Sequence, residues 1–281
     1  MISTPNAIFT DLDGTLLDES QRLSLGNRKT LNELGEKGVC RVVITGRTLV
    51  SARLVMSTDF PIDILVTSSG AGIFTFPDKE LLHSVTMKES DVRCAARLLA
   101  QLGVDFMIHD PLPNNHQFRW HRSLEQNPDF DRRLNLNKGH HGVLPNDLNT
   151  IGKATQLIVI CPEDQNSYIH ESLRTKLANL TIIRATSPLD KQSTWYEIFP
   201  QGTSKASAAA WICKRYGLDP KRSLAIGNDY NDIDLLLWSN FSRVVANAPI
   251  PLRRQFPVVS NNEGDGFSEA VSEWWQFVTK K

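Results

Sequence analysis

No stretch of the 281-residue chain approaches the ~20 consecutive apolar residues that cross a bilayer as a helix, so the sequence gives no support to an ion pump. It also lacks an excess of either charge. Its 31 basic and 31 acidic residues cancel, so no global field draws it to nucleic acid or a lipid surface, and an anionic ligand must be held by a local site. Cysteine is scarce and unpatterned: Cys40, Cys94, Cys161 and Cys213 form no CxxC or Cys/His ligand spacing and read as reduced thiols. The opening MISTPNAIFTDLDG has no basic region followed by an apolar run and a cleavage site, and the expected compartment is the cytoplasm. No GxxxxGK[ST] occurs, and Gly70-Ala71-Gly72 begins a dinucleotide fingerprint that Thr75 breaks at its third glycine. There is no fixed-period repeat.

What the chain does contain is an alternation of short β-type runs with helical patterns, which predicts an α/β protein with parallel strands. Ala7–Leu12 reads as the first strand, Arg41–Thr45 as a second and Ile64–Thr67 as a third, with a helix over Leu25–Lys37 stopped by Gly38. Leu224–Ile226 and Val244–Ala246 continue the pattern near the other end. The middle differs. It offers a helix over Ser90–Leu102, strands at His116–His121, Gln156–Ile160 and Thr181–Arg184, and a helix over Gln165–Ala178. The Asn-, Asp-, Pro- and Gly-rich Asn114–Asn149 reads as a loop-bearing stretch, and adjacent His140 and His141 as part of its surface. The expected organisation is a core formed by 1–83 and 191–281, with an inserted α/β domain at 84–190.

The strongest chemical signal is Asp11-Leu12-Asp13-Gly14-Thr15-Leu16-Leu17. Two carboxylates one residue apart, in a turn just past a buried strand, can bind a hard cation and divide nucleophilic and acid/base work. The carboxyl end of a parallel strand is also where open α/β sheets take their ligands. A calcium loop begins with the same D-x-D but wants glycine at its sixth position and glutamate at its twelfth, where Leu16 and Arg22 stand. Three further stations follow strands or open helices: Thr45-Gly46-Arg47, Gly202-Thr203-Ser204-Lys205 and Gly227-Asn228-Asp229-Tyr230-Asn231-Asp232.

In this order the four segments resemble the motifs of the haloacid dehalogenase superfamily. An insert between the threonine and lysine stations is similar to the type IIB subgroup with an α/β cap, and the GTSKASAA and GNDYNDIDLL segments look most like Cof-type hydrolases. The resemblance implies a Rossmann-like parallel-sheet core with a C2B-type cap, and a Mg²⁺-dependent phosphatase acting through an aspartyl-phosphate on Asp11. It implies catalytic roles for Asp11, Asp13 and Lys205, phosphate or substrate contacts from Thr45, Gly46, Arg47 and Asn231, and a metal site among Asp11, Asp13, Asn228, Asp229 and Asp232. Asn228 departs from the family, which usually has aspartate there; either its neutral oxygen ligates, or Asp229 is brought in. In relatives one face of the cap sheet looks on to the site. Here alternation sets Phe118 and Trp120 on one side of the His116–His121 run and Gln117, Arg119 and His121 on the other, and the polar side is the expected substrate face. The expected partner is a small phosphorylated metabolite, a sugar phosphate by analogy, with no nucleic acid and no membrane, in a monomer or homodimer. A phosphomutase or phosphotransferase on the same chemistry, and a non-catalytic phospho-ligand sensor, stay open.

Overall fold

The computed structural model describes residues 6–162 and 166–279, as two compact units: residues up to His83 with those from Ser204 on, and Ser84–Thr203. The first segment runs β1 (Ala7–Thr10), α1 (Leu25–Glu36), β2 (Cys40–Ile44), α2 (Leu49–Ala52), β3 (Ile64–Thr67), β4 (Gly72–Thr75) and β5 (Leu81–Ser84). The insert carries α3 (Glu89–Gln101), β6 (Asp105–His109), β7 (Phe118–His121), α4 (Pro128–Leu136), β8 (His141–Val143), β9 (Gln156–Cys161), α5 (Asn166–Lys176), β10 (Leu180–Thr186) and β11 (Thr194–Pro200). The chain then returns through α6 (Lys205–Tyr216), β12 (Leu224–Gly227), α7 (Ile233–Trp238), β13 (Phe241–Val245), α8 (Ile250–Gln255), β14 (Val258–Val259) and α9 (Gly266–Thr279).

In the first unit one sheet has the order β14-β13-β12-β1-β2-β3-β4-β5. It is parallel from β14 to β3, and β4 turns back antiparallel on β3. β1 is central and all four of its side chains are buried, as expected of a parallel strand covered on both faces. Ala7 and Phe9 pack with Ala209 and Ile212 of α6, Leu235 of α7 and Leu252 of α8. α1 and α9 pack together, and α9 lies on β12 and β13. Ser24 caps α1 by accepting the Asn27 N–H. The effect of this packing on function is simple: β1, β2 and β12 all end at the same edge, where their following turns meet.

The inserted unit has its own sheet, β10-β11-β9-β6-β7-β8, antiparallel except for β7 and β8. One face is packed by α3 and α5 through Val92, Ala96, Leu99, Ile169 and Leu173, which meet Phe106, Leu157, Val159, Tyr196 and Ile198. Phe130 of α4 packs with Met107, Phe118, Ile158, Ile160 and Trp195, which the strand alternation sets on the other face. Two sequence expectations are corrected here. The unit extends to Thr203 rather than 190, because β11 pairs along its length with both β9 and β10. The 114–149 stretch is not all loop: Asn127 caps α4 by accepting the Phe130 N–H, Pro128 stands in its first turn, and His141 opens a short strand. The expected first residue of α5, Gln165, lies outside the described residues.

Buried His109 of β6 gives this unit an acid weakness. Its surroundings, first burial and then the nearby Arg133 guanidinium, push its pKa down to about 3. An unfolded histidine titrates near ~6.5, so the unfolded chain binds the extra proton first as pH falls. Stability is therefore full above that value and is lost progressively from there towards pH ~3. Denaturant unfolding should show wild type losing roughly 2–3 kcal/mol more than His109→Phe between about pH 7 and pH 4.5. Equal losses in the two proteins would rule His109 out as the cause.

Candidate active site

Asp11 follows β1 directly, and its N–H extends the ladder by donating to the Ile226 carbonyl of β12 at 2.9 Å. The turn behind it is closed by Leu16 and Leu17 N–H groups, both donating to the Leu12 carbonyl. Gly14 occupies φ +70°, and a Cβ there would strike the Asn228 amide at 2.7 Å. Three asparagine amides pin the same turn from outside. Asn247 donates to the Gly14 carbonyl at 2.7 Å, Asn27 to Leu16 at 3.2 Å and Asn262 to Leu17 at 3.0 Å.

Lys205, the first residue of α6, is fully buried, and its Nζ lies 2.6 Å from Asp11 Oδ1 and 2.6 Å from Asp232 Oδ1. Asp232 uses its other oxygen to accept the N–H groups of Asn228 and Asp229, at 2.9 and 3.0 Å, which shapes the turn after β12. Gly227 must be glycine for this, since a Cβ would lie 2.4 Å from the Asp232 carboxyl carbon. Burial works to lower the pKa of Lys205, but the two carboxylates overcome it and hold the ammonium charged. For Asp11, burial pushes the carboxyl up to about 7, with Lys205 pulling it down and Asp232 pushing it further up.

Lys205 is set in place by an unusually close backbone approach. The turn Ser68–Gly70 has all three residues at positive φ, and a Cβ on Gly70 would sit 2.2 Å from the Ser204 carbonyl oxygen. Gly70→Ala should therefore destabilise by at least ~2 kcal/mol in denaturant unfolding and lower activity by displacing Ser204 and Lys205. Gly38→Ala, at φ +72° with open space around it, should cost only ~1 kcal/mol. Equal effects of the two would show that the approach to Ser204 carries no constraint.

Thr45, at the end of β2, is buried, and its hydroxyl accepts the Arg47 N–H at 3.1 Å. Arg47 forks Asp13, with Nε 2.7 Å from Oδ2 and Nη2 2.6 Å from Oδ1, while its Nη1 donates to the Ser51 carbonyl of α2. Arg47 was expected at the phosphate seat, and here it orients the second carboxylate. Gly46 and Asn231 are half-buried in the adjoining turns. Arg119 and His121 belong to the inserted unit, where register aligns them with Ile108 and Phe106 on the side packed by α3 and α5. His121 lies against the Phe106 ring at 5.1 Å, and its Nε2 is 3.1 Å from Ser123 Oγ. Arg119 and His121 therefore share the sheet face packed by α3 and α5, where Arg119 is exposed and His121 half-buried, while Phe118 and Trp120 lie on the α4 face.

The fit of a cation turns on Asn228. One arm of its amide lies 3.1 Å from Thr15 Oγ1, 3.2 Å from the Asp13 carbonyl and 3.3 Å from Asp11 Oδ2. With nitrogen in that arm the amide donates to these oxygens; with oxygen there, acceptors converge from Asp11, Asp13 and Asn228. Oxygens at such separations suit neighbouring corners of the octahedron that Mg²⁺ requires at ~2.0–2.1 Å. The donor set fits a hard cation. Among the described residues no three His, Cys, Asp or Glu side chains group as a metal cluster, so Asp229 and Asp232 do not complete an all-acidic set with Asp11. The oxygen donors beside Asp11 are an amide and a backbone carbonyl.

Sequence reasoning missed Asn27, Asn247 and Asn262. Each lies far along the chain from, or on a different element than, the turn it pins, and a lone Asn carries no local signal of such a partner.

Residues 8–271 match the family of haloacid dehalogenase-like hydrolases. The 5-amino-6-(5-phospho-D-ribitylamino)uracil phosphatase of Bacillus subtilis is 25% identical over 272 residues, covering 95% of this chain and 94% of that protein. Among solved structures, a phosphatase of the same superfamily from Bacteroides thetaiotaomicron superposes with a TM-score of 0.77 at 18% identity, covering 96% of this chain and 95% of its own. A subclass IIB sugar phosphatase gives 0.74 at 19% identity, covering 96% and 98%. These two structures share the fold. With a family match running from β1 into α9, and the buried lysine–carboxylate cluster at its strand ends, the chain belongs to the haloacid dehalogenase-like hydrolases and is a phosphatase-type enzyme of that family.

Proposed function

We propose that the protein is a divalent-cation-dependent phosphatase of small phosphoesters, with sugar or polyol phosphates as its substrate class. The observation that carries this reading is Lys205, fully buried between Asp11 and Asp232 and charged, at the edge where β1, β2 and β12 deliver their turns. Such a cation stabilises negative charge gathering on a phosphoryl group far better in a dry site than it would in water. Asp11 attacks phosphorus, forming the aspartyl-phosphate as the ester P–O bond breaks, and the leaving oxygen takes a proton from Asp13. Asp13 then removes a proton from water, whose oxygen displaces Asp11 and yields inorganic phosphate. Thr45 and the Gly46 N–H seat the phosphoryl oxygens, and Arg47 orients Asp13. Asp11, the Asp13 carbonyl and Asn228 would hold Mg²⁺, which supplies further neutralisation of the phosphoryl charge when bound. The inserted unit would choose the leaving group. The Bacillus subtilis relative, named for a phosphoribityl compound, supports a hydroxyl-rich one.

The test is release of inorganic phosphate from a panel of sugar, polyol and aryl phosphates with Mg²⁺ and with EDTA. We expect Mg²⁺-dependent release that EDTA lowers at least ~100-fold. Release untouched by EDTA would remove the cation from the reading, and no release from any ester would remove the phosphatase.

A further inference from the structure

One arm of the Asn228 amide faces three oxygens of the turn that bears the nucleophile: Thr15 Oγ1, the Asp13 carbonyl and Asp11 Oδ2, all within 3.3 Å. An amide can present two opposite chemistries there. With nitrogen in the arm, its two N–H groups donate to the three acceptors, and the oxygen at the other end meets donors. With oxygen in the arm, oxygen faces acceptors and nitrogen faces donors, and only the Thr15 hydroxyl, which is able to donate, suits the arrangement. Hydrogen bonding by itself therefore selects nitrogen. Oxygen in the arm needs positive charge among these groups, and a hard cation supplies it.

The charges nearby show how firmly such a cation would be held. Asp11 already meets Lys205 Nζ at 2.6 Å through Oδ1, and the Asp13 carboxylate is forked by Arg47. Neither offers its full charge to a second cation, and the amide adds none. Turning the amide also forfeits the hydrogen bonds made by its nitrogen. Both effects lower affinity. An ionised aspartate in this place would accept only: it would repel Asp11 in the absence of a cation and grip the cation when present.

We propose that Asn228 is a cation-responsive positioning residue. Its N–H groups hold Asp11, Asp13 and Thr15 together when no divalent cation is bound, and the amide turns over to give a bound cation its oxygen. The turn bearing Asp11 thus keeps its shape in both conditions, and the cation exchanges readily. This rests on the cation site of the phosphatase reading above.

The experiment compares wild type with Asn228→Asp by calorimetric titration with MgCl₂, and by melting in EDTA and in Mg²⁺ at about pH 8. Asn228→Asp should melt at least ~3 °C below wild type in EDTA and bind Mg²⁺ at least ~10-fold more tightly. Saturating Mg²⁺ should then raise its melting temperature by more than it raises that of wild type. An asparagine that serves the fold alone would give a variant weakened equally in EDTA and in Mg²⁺, with no gain in affinity, and that result would overturn the proposal. If Asn228→Asp does not fold even in Mg²⁺, wild type carries the test through ¹H–¹⁵N spectra. The side-chain NH₂ pair missing from Asn228→Ser should exchange slowly with water in EDTA and lose that protection as Mg²⁺ is added; protection unchanged by Mg²⁺ would also overturn it. Absence of Mg²⁺ binding by either protein would instead remove the cation from the phosphatase reading, and this proposal with it.

Discussion

Asp11→Asn is expected to reduce phosphate release at least ~1,000-fold while the protein stays folded. Asparagine keeps the shape of the side chain and its place after β1, where the backbone N–H is tied to Ile226. In the proposed reaction it removes the anionic oxygen that attacks phosphorus. Lys205 keeps Asp232 as a partner at 2.6 Å, so the ammonium is not stranded. The stability consequence has a definite sign. Asp11 is raised by burial to about 7 from an ordinary value of 3.8, so across that window the folded state holds a proton the unfolded chain has released. The wild-type side chain therefore costs stability as pH rises through the window. In EDTA at about pH 8, Asp11→Asn should melt no lower than wild type. An Asp11→Asn protein retaining about a tenth of wild-type turnover would take Asp11 out of the chemistry.

Lys205→Met should damage both fold and activity. The lysine and Asp232 are fully buried and Asp11 nearly so, all three bound through contacts of 2.6 Å. Taking away the shared cation leaves two buried carboxylates facing each other, and breaking a buried pair this way costs roughly 3–5 kcal/mol. Activity should fall by a further ~100-fold or more, the loss expected for a preorganised electrostatic group. The two effects separate in Lys205→Met/Asp232→Asn, which removes one of the stranded charges. That double variant should regain most of the stability, read by urea unfolding, and none of the phosphate release. If Lys205→Met unfolded at the same urea concentration as wild type, the cluster would not be the buried charge network described.

Much of the first unit was legible in the sequence because buried parallel strands write themselves as short apolar runs. AIFT, RVVI and ILVT each end in a polar turn, and those turns carry Asp11, Thr45 and the Ser68–Gly70 corner. The inserted unit was harder. The polar SPLDKQS stretch at 187–193 reads as a domain boundary, yet it is the connection between two antiparallel strands, with Asp190 accepting from the Gln192 and Ser193 backbones. α4 is short and largely polar; its apolar anchor, Phe130, sits beside four charged residues, so periodicity gives little warning while the Asn127–Pro128 start does. Side-chain destinations were the least legible. Nothing local says that Arg47 turns back on Asp13, or that the side of β7 with Arg119 and His121 is the one shared with Phe106 and Ile108.

The turn bearing Asp11 is held by amides from Asn247 and Asn262, and its lysine and second carboxylate come from positions 205 and 232. A ribosome adds ~5–20 residues per second and works from the N-terminus. Asp11 is thus translated well before Lys205 and Asp232 and is paired with them only after both have been made. Until those partners are made, the nascent chain carries DLDG without the lysine and carboxylate that surround Asp11 in the folded unit.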